Sequence, residues 1–145
     1  MEILFATDAS IAILIVRVVL GVIFFAHGAQ KVLGWFGGYG LKASAAYFTS
    51  MGMPLPLAYL VCFMELLSGI GLVVGFLARL CALAAAAIMI GAIATVHWQH
   101  GFFLNAELKP GKGHGSEYAL ALLAMALAVL IDGAGAFSID RWLLH

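Results

Sequence analysis

Four long apolar segments, each interrupted by only a few charged residues, constrain this chain more than any other feature of its sequence. They run from about Ser10 to Leu33, Pro56 to Leu77, Arg79 to Gln99 and Glu117 to Phe137. A helix crosses the hydrocarbon core of a bilayer with about 20 mostly apolar residues. Because only helices and closed barrels satisfy their backbone hydrogen bonds in lipid, the segments predict four membrane-spanning helices.

Composition supports a membrane protein and excludes several other classes. Of the 145 residues, 65% are hydrophobic and 10% are charged, against roughly 45–50% and about 25% in a soluble domain. Disordered chains are poor in apolar residues, so disorder is excluded. Seven Lys and Arg residues balance seven Asp and Glu residues, which leaves no positive field for nucleic acid. We therefore expect the lipid bilayer as a partner, and no nucleic acid.

The lengths of the connections predict how the spans are arranged. A very short turn, Gly75–Arg79, joins the second and third spans, so these helices form an antiparallel hairpin. Both termini share the side of this turn, which we call the terminal side. The longer connections, about 34–55 and 100–116, lie on the other side, the loop side. The predicted fold is all-α, a single domain over residues 1–145 that forms an antiparallel bundle of four transmembrane helices. A short interfacial helix over about 42–51 lies in its first loop.

Charged residues within the first two spans are candidate functional residues, because intramembrane charges are costly and usually face a bundle interior or a cavity. Arg17, His27 and Lys31 share one face of the first helix at about 100° per residue. In the second span, Glu65 lies on a stripe of small and polar residues that includes Cys62. A long Arg17 side chain could bridge to Glu65, and such an ion pair would be either structural or functional.

Polar residues also gather at the loop-side ends of the spans. They are His27, His97, His100 and Glu117, with Gln30, Lys31, Glu107 and His114 close by. One interpretation is that His97 and His100 are simply solvated at the membrane interface. A metal site at His97-x-x-His100 is a weaker interpretation, because the spacing specifies no third ligand. A haem b held between His27 and His97 is a further alternative.

Several short motifs follow one another along almost the whole chain. They are Arg17-x-x-x-Gly21, His27-Gly28-x-x-Lys31, Gly52-Met53-Pro54, Glu65, Gly75-x-x-x-Arg79, His97-x-x-x-Gly101-Phe102-Phe103, Gly115-x-Glu117 and Gly133-Ala134-Gly135-Ala136-Phe137-Ser138-Ile139-Asp140. Their joint order resembles the DoxX family. The resemblance implies a small four-helix, multi-pass protein of the bacterial plasma (inner) membrane. It also implies quinone and sulfur redox chemistry, as in thiosulfate:quinone oxidoreductase subunits, and soluble redox partners.

Two functional hypotheses follow. In the first, the chain is the membrane subunit of a quinone-linked oxidoreductase acting in thiol, sulfur or quinone redox stress, and it is not a complete enzyme alone. A quinone or another small redox substrate would bind at the loop-side end of the bundle. The predicted catalytic residues are Glu65 and His97, and the predicted ligand-binding residues are Arg17, His27, Lys31, His100 and Glu117. No metal site is predicted.

The roles within that site follow from acid–base chemistry. His27, His97 or Lys31 would donate a hydrogen bond to a quinone carbonyl, and Glu65 or Glu117 would relay protons. In the second hypothesis, the chain is a non-catalytic membrane anchor or small-molecule carrier for a soluble redox partner. Glycine-rich helix surfaces also allow the chain to form a homo-oligomer.

Overall fold

A computed structural model describes residue 5 and residues 7–143, and every regular element in this part of the chain is helical. Its helices are α1 Ile11–Val32, α2 Gly40–Ser50, α3 Leu55–Val74, α4 Ala78–Ala92, α5 Glu117–Asp132 and α6 Ile139–Leu143. A π turn over Ile93–His97 and a 3-10 turn over Trp98–His100 continue α4. The remaining positions of the predicted domain, 1–4, 6, 144 and 145, lie outside the described residues.

Three helical segments in the described part of the chain are long and apolar enough to cross a membrane: Ile11–Val32, Leu55–Val74 and Ala78–His100. They confirm the first three predicted spans. The fourth is shorter than predicted, because α5 ends at Asp132 after 16 residues, a rise of about 24 Å against a hydrocarbon core of about 30 Å. A crossing by α5 therefore stays a prediction.

Local signals in the sequence explain where the helices begin and end. Ser10 caps α1, and its hydroxyl accepts a hydrogen bond from the Ile13 N–H at 3.2 Å. Gly75 ends α3 in the left-handed region at φ 70°, which favours glycine. The short helix predicted over 42–51 is confirmed as α2, which begins two residues earlier.

Glycine contacts bring α1 and α3 close together along much of their length. A Cβ atom on Gly28 would lie 2.5 Å from the backbone of Leu66, and one on Gly69 would lie 2.3 Å from Phe25 N. Small residues allow this approach, as they do in other membrane helix pairs. The remaining long helices complete a ring in which α3 packs on α4, α4 on α5 and α5 on α1. The side chains of α4 that enter the core are mostly alanine.

Asp140 of α6 closes the terminal side of the ring. Its two carboxylate oxygens accept hydrogen bonds from Leu77 N–H at 2.7 Å and Ala78 N–H at 2.8 Å. Its own N–H donates to Gly75 O at 2.9 Å. A carboxylate at a helix N-terminus satisfies backbone donors that the helix leaves free. Asp140 therefore caps α4 and joins the last helix to the α3–α4 turn.

Candidate functional site

Arg17 is fully buried and binds only backbone carbonyl groups. Its Nε donates to Ala134 O at 2.7 Å, and its two Nη atoms donate to carbonyls at the end of α3 and after α5. These acceptors are Leu72 O, Val73 O at 2.8 Å, Phe137 O at 3.3 Å and Ala136 O at 3.5 Å. Five N–H groups therefore meet five carbonyls, which uses the whole donor capacity of a guanidinium.

The Arg17–Glu65 ion pair considered from the sequence is wrong. The last carbonyls of α3 have no partner within their own helix, and Arg17 supplies it from α1. This geometry does not support the ligand-binding role predicted for Arg17, because no N–H remains for a ligand. Arg79 acts similarly across the other helix pair, where its Nη1 donates to Leu130 O and, at 2.7 Å, to Ile131 O near the end of α5.

Glu65 instead forms an ion pair with Lys31. The Lys31 Nζ lies 2.7 Å from Glu65 Oε2, and the exposed fractions of the two side chains are 25% and 8%. His27 lies one helical turn before Lys31 on α1, and the fully buried Cys62 lies three residues before Glu65 on α3. We call these four residues the α1–α3 cluster. The structure thus brings together three predicted site residues and the cysteine of the same stripe.

The α1–α3 cluster forms where it does because of helical spacing and close packing. His27 and Lys31 are four residues apart and so share a face of α1, while Cys62 and Glu65 are three apart on α3. Gly28 lets the two helices approach at the same level. The α1–α3 cluster therefore places four ionisable side chains together between two helices of membrane-spanning length.

A second group of residues is built around the connection between the 3-10 turn and α5. His97 Nδ1 lies 2.9 Å from His114 O. His100 Nδ1 accepts a hydrogen bond from Gly113 N–H at 3.3 Å, and His114 Nδ1 accepts one from Asn105 N–H at 3.2 Å. All three histidines therefore hold the 101–116 connection in one conformation.

Asn105 organises the centre of this connection. The buried amide donates to Lys112 O at 2.7 Å and Lys109 O at 3.1 Å, and accepts from Lys109 N–H at 3.0 Å. Glu117, the first residue of α5, accepts from Leu104 N–H at 2.7 Å. We call His97, His100, Asn105, His114 and Glu117 the loop cluster.

The predicted site residues are thus divided between two clusters. No hydrogen bond or ion pair among the described residues joins the α1–α3 cluster to the loop cluster. Residues 7–143 also contain no group of three His, Cys, Asp or Glu side chains placed to hold a metal ion. The haem b alternative, which requires His27 and His97 as ligands, stays a prediction.

Sequence reasoning missed Asn105. Its only signal is its place in a segment rich in Lys and Gly, where Asn is typical of turns. A turn signal does not reveal that the side chain is buried or which carbonyls it binds. The sequence places His114 only near the site, because its structural role depends on the fold of the connection.

An open groove of about 560 Å³ lies between α4 and α5 on the outside of the helix ring. It is apolar and is lined by Ile90, Ile93, Ala94, Trp98, Leu120 and Leu123. Three of these residues belong to the π and 3-10 turns that also carry His97 and His100. A π turn inserted in a helix frequently marks a functional site. The groove therefore adjoins the helical segment from which the loop cluster begins.

Comparisons with known proteins find a matching family and a similar bacterial protein. The DoxX family model matches residues 12–98. A Bacillus subtilis (strain 168) protein named "Putative oxidoreductase CatD" is 33% identical over 119 residues, which cover 82% of this chain and 78% of that protein. No solved structure matches this chain significantly.

Proposed function

Because this chain belongs to the DoxX family, and because it holds a largely buried cluster of ionisable side chains between two helices of membrane-spanning length, we propose that it is the membrane subunit of a quinone-linked oxidoreductase. The name of the B. subtilis relative supports oxidoreductase chemistry. The proposed substrate is a quinone or a small redox partner of a quinone, bound at the loop side. Electrons come from a soluble partner protein or from a thiol or sulfur substrate.

The Lys31–Glu65 ion pair is the observation on which this proposal depends. Reduction of a quinone consumes protons as well as electrons, so a reducing site in lipid needs a route for protons. Glu65 is almost fully shielded and Lys31 remains partly accessible, so the pair connects the protein interior with the loop side. His27, one helical turn before Lys31 on α1, adds an imidazole, the side chain best suited to proton transfer near neutral pH.

Apolar surface near the loop side supports a lipid-soluble substrate. The groove between α4 and α5 has the length of about two helical turns, from Ile90 to Trp98, and only apolar side chains line it. An isoprenoid tail is also apolar and would therefore bind in this groove. Its head group would then reach the loop side, where both clusters lie.

An anaerobic redox difference spectrum of the protein, purified with native lipid, tests the proposal. We expect a near-ultraviolet quinone signal that weakens in Glu65→Gln and in Lys31→Met. Glu107→Gln is the matched control, because Glu107 forms an exposed ion pair with Lys109 at 2.8 Å in the loop. A blank spectrum from protein that retains its lipid would reject the quinone subunit and favour the anchor or carrier. Capture of a soluble partner by crosslinking would then support that alternative.

A further inference from the structure

The three histidines of the loop cluster each contact the backbone through Nδ1, but they differ in whether this nitrogen donates or accepts the hydrogen bond. A carbonyl oxygen only accepts hydrogen bonds, so the contact with His114 O requires a proton on His97 Nδ1. A backbone N–H only donates, so the contacts of His100 and His114 require a lone pair on Nδ1. In the neutral state, His97 therefore carries its lone pair on Nε2, whereas His100 and His114 carry a proton there.

His97 Nε2 is also accessible. The only hydrogen bond of the His97 ring among the described residues is the one from Nδ1. Every buried side-chain nitrogen or oxygen in residues 7–143 has a hydrogen-bond partner. Because Nε2 has no partner among these residues, it is not fully buried. A ring held through Nδ1 with its other nitrogen open has the orientation required of a proton acceptor.

We propose that His97 binds its substrate as a hydrogen-bond acceptor through Nε2, and that Asn105 and His114 are the positioning residues that fix this tautomer. The group that it binds is an acidic O–H or S–H group, as in a thiol that donates electrons or in the hydroquinone that quinone reduction forms. The expectation that His97 donates to a quinone carbonyl is thereby reversed. The choice of a hydroquinone as ligand rests on the proposed function, but the assignment of the tautomer does not.

Asn105 positions His97 through a chain of contacts. The side-chain amide of Asn105 donates to the carbonyls of Lys109 and Lys112, and the backbone N–H of Asn105 donates to the ring of His114. The backbone carbonyl of the same His114 then receives the proton of His97 Nδ1. Removing the amide releases the segment that presents this carbonyl, so His97 loses the contact that selects its tautomer.

Nitrogen-15 NMR of histidine-labelled full-length protein in lipid nanodiscs tests the tautomer directly. We expect the neutral His97 ring to carry its proton on Nδ1, and the His100 and His114 rings to carry theirs on Nε2. In Asn105→Ala, His97 should shift to a mixture of tautomers, while Glu107→Gln in the same loop should leave it unchanged. If Asn105→Ala does not fold, Asn105→Asp removes the two donated bonds and keeps an acceptor for Lys109 N–H. A proton on His97 Nε2 in the native protein would overturn the proposal.

Binding of a matched pair of probes tests the ligand class. Anaerobic titration with a hydroquinone should shift the His97 Nε2 resonance, and its dimethyl ether should bind about tenfold more weakly, the effect of one hydrogen bond. His97→Phe should abolish this preference. Equal binding of both probes would refute the acceptor role even if the tautomer is as expected. A weak quinone spectrum in Glu65→Gln concerns the proposed function alone, since no hydrogen bond or ion pair among the described residues joins Glu65 to the loop cluster.

Discussion

Replacement of Arg17 by methionine gives the sharpest test of how this fold is held together. The substitution keeps an unbranched side chain of similar length and removes all five donors. Three of the five carbonyl partners are close, those of Ala134, Leu72 and Val73. A buried polar group left without a partner costs about 1–3 kcal/mol. We therefore expect the free energy of unfolding to fall by at least about 3 kcal/mol, because three strong contacts are lost together.

Reversible unfolding in mixed detergent micelles measures this loss. Arg141→Met is the matched control, because Arg141 lies on the same side of the molecule and its guanidinium forms no hydrogen bond with any described residue. Arg17→Lys should fall between the wild type and Arg17→Met, since an ammonium retains the charge but offers three donors on one atom. If Arg17→Met unfolds at the same denaturant concentration as the control, the carbonyl contacts do not stabilise the fold and the argument is refuted.

Two further predictions concern packing and pH. Gly28→Ala should destabilise the protein by about 1–3 kcal/mol, because the new methyl group would overlap the backbone of Leu66. Gly91→Ala places its methyl group in open space, so it should not destabilise the protein. Equal melting temperatures of the two variants would contradict the packing argument. Burial raises the pKa of Asp140, although two backbone N–H groups and the nearby Arg17 charge oppose this shift. The folded state then binds the proton more tightly than the unfolded state, so the carboxyl's contribution to stability falls as pH rises from its ordinary pKa to the raised one. The wild-type advantage over Asp140→Asn in unfolding free energy should therefore shrink as pH rises through this interval, and an advantage that grows would contradict the assignment.

The predicted site residues lie in two clusters because the packing of the helices decides which side chains meet. Helical periodicity correctly placed His27 and Lys31 on one face of α1 and Cys62 with Glu65 on α3. Periodicity within a single helix does not specify which residues of two helices meet, because that depends on their relative shift and rotation. Lys31 reaches Glu65 because Gly28 permits contact at that level.

The loop cluster was the least predictable part of the molecule. Its histidines were recognised as loop-side residues, but their ring nitrogens take opposite roles that follow only from the path of the 101–116 connection. Asn105 was not predicted at all, although four of its hydrogen bonds hold that path together. Such contacts link residues through the conformation of an irregular segment, for which the sequence has no periodic signal.

The sequence by itself determined the helical class, three spans long and apolar enough to cross a membrane, the tight α3–α4 turn and the short helix α2. These features depend on hydrophobic length and on local capping, which act within a few residues. Tertiary structure alone decided the partner of Glu65 and the role of Arg17. Carbonyls at the end of α3 and after α5 together bind the whole guanidinium, so Lys31 becomes the counter-ion of the buried carboxylate. That choice reflects backbone hydrogen-bonding demand in an apolar environment, which becomes apparent only when the helices are packed.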